Sequence, residues 1–286
     1  MKKYITLGIV ITLVCSAALI SAAKPESTVN PSRGQASVVI STHAIEVAPG
    51  VFSLGISIDN GRVVEGYAII TYKEGFGKPS GSPGNRPDKP DDDTSDCYSF
   101  LARGAMWKTT EPYVLDTTNN DGLTETFVSI VIANSFETWD TEVNFEIFGE
   151  RDTTKDVDGA DTVYPDGKNE IFFGTIEDEN VIAVAIVWGI FGGPPKQREI
   201  VECDVVFDDE YTWGDAGPTS ETELGDTSIM DLQNIATHEF GHGAGLDDLY
   251  ESSCSEQTMY GYAEPGETKK RTLGSGDING VYTLYK

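Results

Sequence analysis

The chain has 286 residues, with 47 acidic against 20 basic side chains and a formal net charge of −27. A surplus of that sign repels polyanions, so nucleic acid is excluded as a natural partner, and it suits either a salt-rich habitat or bound divalent cations. The length allows one large core or two small ones.

The first residues stand apart from any core. Met1 to Lys3 carry two lysines, Tyr4 to Ile20 form an apolar run, and Ser21-Ala22-Ala23 offers small residues for cleavage. This is the pattern of an export signal over residues 1–23, which places the mature protein outside the cell. If the signal is retained, the same run is a membrane anchor that holds the protein on the outer face, close to the short limit for a span. Cys15 leaves with the signal, and Cys97, Cys203 and Cys254 remain, enough for one intramolecular disulfide. Cys203 lies in the strand-like run Ile200–Phe207 and is expected to be buried, whereas Cys97 and Cys254 lie in loop-like sequence and are the preferred pair.

Residues 24 to about 36 are polar and proline-containing. The β-rich runs Val51–Ile58 and Val63–Tyr72 then flank Asp59-Asn60-Gly61-Arg62, where Asn-Gly signals a tight hairpin turn. Residues 24–74 are therefore read as a small β-rich N-terminal unit, and 75–96, rich in Gly, Pro, Ser, Asn and Asp, as a linker that marks a domain boundary.

The domain at 97–286 is predicted to be α+β, a mixed twisted sheet with helices packed on it. Tyr113-Val114-Leu115 reads as a strand and 119–122 as a turn. A helix starting near Thr124 aligns Val128, Ile132, Phe136 and Trp139 on one face. β-rich runs follow at Asn144–Phe148, Val181–Trp188 and Ile200–Phe207. A second helix is expected to begin between Asp226 and Met230, turn Leu232, Ile235 and Ala236 inward and run into His238. Asp156, Asp158, Asp161 and Asp166 lie in an acidic, glycine-containing loop. With Asp208 they are read either as oxygen ligands for calcium or as a solvated acidic loop.

The run His238-Glu239-Phe240-Gly241-His242-Gly243-Ala244-Gly245-Leu246-Asp247-Asp248 carries the chemistry. Histidines four residues apart on a helix stand one turn apart on one face and can share a tetrahedral zinc ion. Glu239, beside the first, is placed to act as a general base without occupying the metal. Gly243 and Gly245 are read as breaking the helix so that Asp248 returns as third ligand, leaving the fourth position for water. A closed structural zinc site is disfavoured, because such sites are rich in cysteine and the motif has none. The remaining histidine, His43, precedes the linker.

These residues resemble the metzincin peptidases, and further stretches resemble the matrixin branch, especially its prokaryotic and archaeal members. Met259-Tyr260 resembles the Met-turn beneath the zinc-binding histidines. Val206–Trp213 resembles the strand and acidic turn before the active-site helix, and Leu273 with Asp277–Val281 and Leu284-Tyr285 resembles the C-terminal helix, whose aspartate supports the Met-turn. The resemblance covers about residues 97–286. It departs in having Asp248 where most matrixins have a third histidine and in lacking a Pro-Arg-Cys-Gly-type latency segment and the ligands of a histidine-bound structural zinc.

The resemblance implies a zinc endopeptidase acting on protein or peptide substrates, and the protein is expected to be a monomer. Substrate would add as a strand along Val181–Val187, with Ala183, Val184 and Ala185 as binding candidates, and Tyr260 and Tyr262 would wall the pocket beyond the scissile bond. Lys269-Lys270-Arg271 is read as a solvated charge run or, less favoured, as an attractant for acidic side chains. Two rival readings are an idle metal-binding surface or adhesion module, opposed by the retained Glu239, and a cell-wall amidase, which no carbohydrate-recognition feature supports. Residues 24–96 are expected to be a removable pro-segment acting without a thiol switch, with a permanent N-terminal β domain used for surface attachment as the competing reading.

Overall fold

The computed structural model describes residues 37–38, 44–76, 97–217 and 225–286. The export signal, the polar lead, His43 and linker residues 77–96 lie outside the described residues. Among the described residues no helix is long and apolar enough to cross a membrane.

The hairpin forms where Asn-Gly demands it. Strand β3 (Val51–Asp59) and strand β4 (Arg62–Lys73) are joined through Asn60 and Gly61, whose φ values of 47° and 80° are the paired positive angles of a two-residue turn that follows the strand twist. Strand β1 (Ser37–Val38) and strand β2 (Ile45–Ala48) precede it, with β2 paired to β3.

The hairpin does not stand alone. Strand β4 pairs antiparallel with strand β8 (Val181–Ile190) from Glu65 to Tyr72, which places it inside the main sheet. Strands β5 (Glu111–Leu115), β6 (Phe148–Arg151), β7 (Glu170–Ile176) and β9 (Glu199–Asp208) complete the path β2-β3-β4-β8-β9-β7-β5-β6. Contacts group residues 35–286 into one compact unit. The self-contained β unit expected before residue 75 is thus replaced by strands that share the core: Val51, Tyr67 and Ile69 pack on the helix side of the sheet, and Val64, Ala68 and Ile70 on the other. Strand β4 is buried on both faces, which its near-continuous apolar run Tyr67–Ile70 allows.

Helix α1 (Glu125–Asp140) starts at Thr124, whose side chain caps the Phe127 amide, and it buries Val128, Ile132, Phe136 and Trp139. Its Phe136 ring stacks on Phe240 at 3.8 Å between centroids, and Trp139 Nε1 donates to the Thr237 carbonyl at 2.8 Å. Strand β6 lies later than the run Asn144–Phe148 because the Asp140 carboxylate accepts from the Ile147 and Phe148 amides, which holds the preceding residues as a turn against the end of α1. Strand β10 (Trp213–Gly214) pairs with strand β11 (Met230–Asp231), so helix α2 (Leu232–Gly243) begins after Met230, capped by Asp231 on the Asn234 amide. Strand β12 (Tyr262–Ala263) lies beyond it, and helix α3 (Ser275–Tyr285) ends the chain. A disulfide joins Cys97 to Cys254 across 157 residues, and Cys203 is buried as a free thiol.

Candidate active site

Helix α2 presents His238 and His242 one turn apart, their rings 5.0 Å between centroids. Each ring is oriented by a main-chain acceptor: His238 Nδ1 donates to the Thr258 carbonyl at 2.7 Å and His242 Nδ1 to the Leu246 carbonyl at 3.0 Å. That places the lone pair of each Nε2 toward a common point, the tautomer a metal requires.

The helix ends on Gly243, and the turn itself belongs to Gly245, at φ +101°. A β-carbon there would stand 2.7 Å from the Ala105 carbonyl oxygen. Gly243 serves a different purpose, giving room to Phe148 and the Cys203 sulfur. The chain then doubles back and brings Asp248 Oδ1 to 3.3 Å from His238 Nε2 and 3.5 Å from His242 Nε2. Asp247 is not among these grouped ligand atoms. Tyr250, unforeseen from the sequence, donates its hydroxyl to Asp248 Oδ2 at 3.0 Å and so leaves Oδ1 for a metal.

Both Nε2 atoms and Asp248 Oδ1 are buried polar atoms without hydrogen-bond partners. Such atoms are costly unless something satisfies them, and two imidazoles with a carboxylate match the donor set of a divalent zinc ion. The residues therefore fit the ion. Burial brings the His238 imidazole down to about 4, with Lys270 adding to the effect, so it is neutral as a ligand must be. Burial opposes ionisation of Asp248, yet His242 and His238 hold it below the usual carboxylate range.

Glu239 is buried beside this group, with neither carboxylate oxygen hydrogen-bonded. Burial raises its pKa to about 7, against the lowering by His242 and by the hydroxyl of Thr71, which faces it from strand β4. Met259 packs under the helix, where its sulfur occupies the space a side chain on Gly241 would need. Asp277 fixes the main chain on either side, accepting from the Thr258 amide at 2.7 Å and the Met259 amide at 3.1 Å.

The substrate candidates are placed differently from expectation. Ala183, Val184 and Ala185 are fully buried in β8, paired on one side with Thr71, Ile70 and Ile69 of β4 and on the other with Phe207, Val206 and Val205 of β9. Strand β8 has no open edge here, because β4 occupies it. Tyr260 and Tyr262 are half-buried, their rings 5.6 Å apart, and β12 pairs with the end of β4. The run Lys269-Lys270-Arg271 is not a solvated patch. Lys270 is fully buried and donates to the Tyr260 carbonyl, and Arg271 pairs with Asp231 and Asp215.

A second acidic group joins Asp161 to Glu202 and Asp204 of β9. Asp158 and Asp166 instead hold the ammonium of Lys168, at 2.9 and 3.0 Å, and Asp208 accepts from the Ile176 and Glu210 amides outside the group. Asp156, in the same loop, is outside it as well. Glu202 and Asp204 were missed although their alternation along an otherwise apolar strand puts both on one face.

On a mixed sheet, two histidines and a carboxylate thus converge from one helix and its return turn as a group that could hold a metal ion. The chain belongs to the matrixin family, whose profile matches residues 106–286. It is similar to the hatching enzyme of Paracentrotus lividus, 29% identical over 192 residues that cover 66% of this chain and 28% of that protein. It is also similar to metalloendoproteinase 1 of Glycine max, 35% identical over 79 residues that cover 28% of this chain and 24% of that protein. The chain thus spans about a quarter of the length of these relatives. Matrixins are zinc enzymes, in agreement with the donor set found.

Proposed function

We propose that this protein is an exported zinc endopeptidase in which His238, His242 and Asp248 hold the ion and Glu239 is the general base. The observation that carries the reading is the convergence of three unpartnered buried ligand atoms beside an unpartnered buried carboxylate. When bound, the zinc ion acidifies a water molecule and polarises the scissile carbonyl. Glu239 accepts the proton of that water and returns it to the leaving amine. Tyr250 keeps Asp248 oriented, and the main-chain acceptors at Thr258 and Leu246 keep both imidazoles aimed. Met259, supported by Asp277, serves as the Met-turn floor of the ligand pair, and Tyr260 and Tyr262 line the pocket beyond the scissile bond. Calcium at Asp161, Glu202 and Asp204 is the companion proposal, supported by the unpartnered buried Glu202 Oε1.

Replacing Glu239 by Gln tests the mechanism, since the side chain keeps its shape and loses its basicity. Peptide hydrolysis, measured on intact protein and on protein cut within residues 77–96, is expected to fall at least ~100-fold while bound zinc stays stoichiometric. Activity within a few fold of wild type in the cut protein would refute the role of Glu239.

A further inference from the structure

A peptide held by strand addition makes main-chain hydrogen bonds along its length and drops alternate side chains into the site. Strand β4 does both. It runs antiparallel to β8, with Ile69, Ile70 and Thr71 opposite Ala185, Val184 and Ala183, and parallel to β12, with Tyr72 and Lys73 opposite Tyr262 and Ala263. Beyond Thr71 the Lys73 amide donates to the Asn180 carbonyl at 2.9 Å and the Glu74 amide to the Ala263 carbonyl at 2.9 Å, one bond to each wall. The segment around Tyr72 therefore lies extended between the two walls of a groove, with the Thr71 hydroxyl near the carboxylate of Glu239 but not hydrogen-bonded to it.

The consequence for the site is closure. Thr71, His238, Glu239 and His242 all have zero exposure. An incoming peptide strand cannot pair with β8 while β4 is seated there, so the register that would bring a substrate carbonyl beside Glu239 is already taken. The register also shifts between Thr71 and Tyr72, a bulge that turns the backbone out of regular pairing at the catalytic position. No cysteine occurs between residues 24 and 76, so a thiol of this segment cannot be what blocks the metal.

We infer that strand β4 is a built-in pseudosubstrate, seated in the peptide groove in β-register, and that it must leave before the enzyme can bind a substrate. The covalent layout permits this. Cys97 is tied to Cys254, so a cut between residues 77 and 96 leaves the catalytic part anchored by its own disulfide and residues up to 76 held by non-covalent pairing alone. What then occupies the groove is an extended peptide chain, read through main-chain bonds to β8 and β12.

The inference rests on the peptidase reading, and the test separates the two. A cleavage sequence for a specific protease is introduced within residues 77–96 of the full chain, the protein is loaded with zinc, and binding of a peptide hydroxamate is measured by calorimetry before and after cutting, with peptide hydrolysis in parallel. If the open state is populated below about one part in a hundred in the intact chain, the hydroxamate binds about 100-fold more tightly after cutting and release of the N-terminal fragment. Equal affinity in the intact chain would overturn the inference. So would a cut protein that keeps residues 24–76 through gel filtration without gaining affinity, or that unfolds on losing them, since β4 would then be a permanent strand of the core. Gained hydroxamate binding without any hydrolysis would leave the pseudosubstrate standing and sink the catalytic reading instead.

Discussion

The sulfur of Met259 stands where a β-carbon on Gly241 would have to be, and Trp139 Cζ2 lies only 2.7 Å from the same point. Glycine between His238 and His242 is therefore a packing requirement of the residues beneath them. Gly241→Ala is expected to push Met259 away and disturb the Thr258 carbonyl that orients His238. Overpacking of this kind costs about 1–3 kcal/mol. A melting curve and a zinc titration check it: both stability and zinc affinity should fall, and an unchanged affinity would show that Met259 does not govern the ligand geometry.

Asp248 and Asp247 separate the ligand role from its neighbour. Only Asp248 joins the two imidazoles, whereas Asp247 continues the main chain into a bond from its amide to the Ser99 carbonyl at 3.0 Å. Asp248→Ala should lower zinc occupancy at least tenfold at limiting metal, and Asp247→Ala should leave it near wild type. Atomic absorption after dialysis against a weak chelator distinguishes them, and the reverse order would show that the turn after Gly245 is built differently in solution.

What was legible in the sequence was local. The Asn60-Gly61 turn follows from backbone stereochemistry, and the α1 face from a 3.6-residue period, and the His238/His242 pair from one helical turn. Strand β7 was missed, because Gly174 interrupts Glu170–Ile176 and the run follows directly on an acidic loop. The later start of α2 depends on Asp231 capping it while Met230 pairs with Trp213, a non-local contact. The union of β4 with β8 was equally hidden: the linker-like composition of residues 75–96 suggested separation, but pairing of strands distant in sequence is decided by which edge needs a partner. Lys270 illustrates the same limit, since a lysine between two cations reads as solvated and only the fold reveals the Tyr260 carbonyl it meets.

Asp140 gives a pH dependence independent of the metal site. Burial raises its carboxyl to about 6 from an ordinary 3.8, with Glu137 and Glu146 adding to the rise and the Ile147 and Phe148 amides opposing it. The folded state then binds the proton more tightly than the unfolded chain, so this group's stabilisation is complete below pH 4 and is lost as pH rises through 6. Asp140→Asn keeps an acceptor for the two amides and removes the charge. Discounted for partial exposure, the gain above pH 7 is about 1 kcal/mol, or roughly 2–4 °C in Tm, with little change at pH 4. Thermal melts of both proteins at the two pH values decide it, and a gain at pH 4 alone would reverse the assigned sign.

The acidic group on the outer face of the sheet yields the last expectation. Glu202 accepts from the Asp166 amide at 2.7 Å and also from the Gly167 amide through one oxygen, while its other oxygen has no partner and points toward Asp161 and Asp204. Lys168 pairs with Asp158, Asp166 and Glu170, so among the described residues no ion pair compensates Asp161, Glu202 and Asp204. Carboxylate oxygens at this density suit calcium better than zinc, which prefers nitrogen and sulfur. At a calcium concentration about 100-fold above Kd the folded state gains about 2.7 kcal/mol, which for a chain of this size raises Tm by roughly 5 °C or more. Glu202→Gln removes a charge without changing the shape that meets the two amides, and it should abolish most of that gain. Melts with calcium, and with magnesium at matched ionic strength, provide the measurement: a wild-type Tm indifferent to calcium would leave the three acids as a protonated buried cluster, and an equal response to both ions would point to charge screening instead of a site.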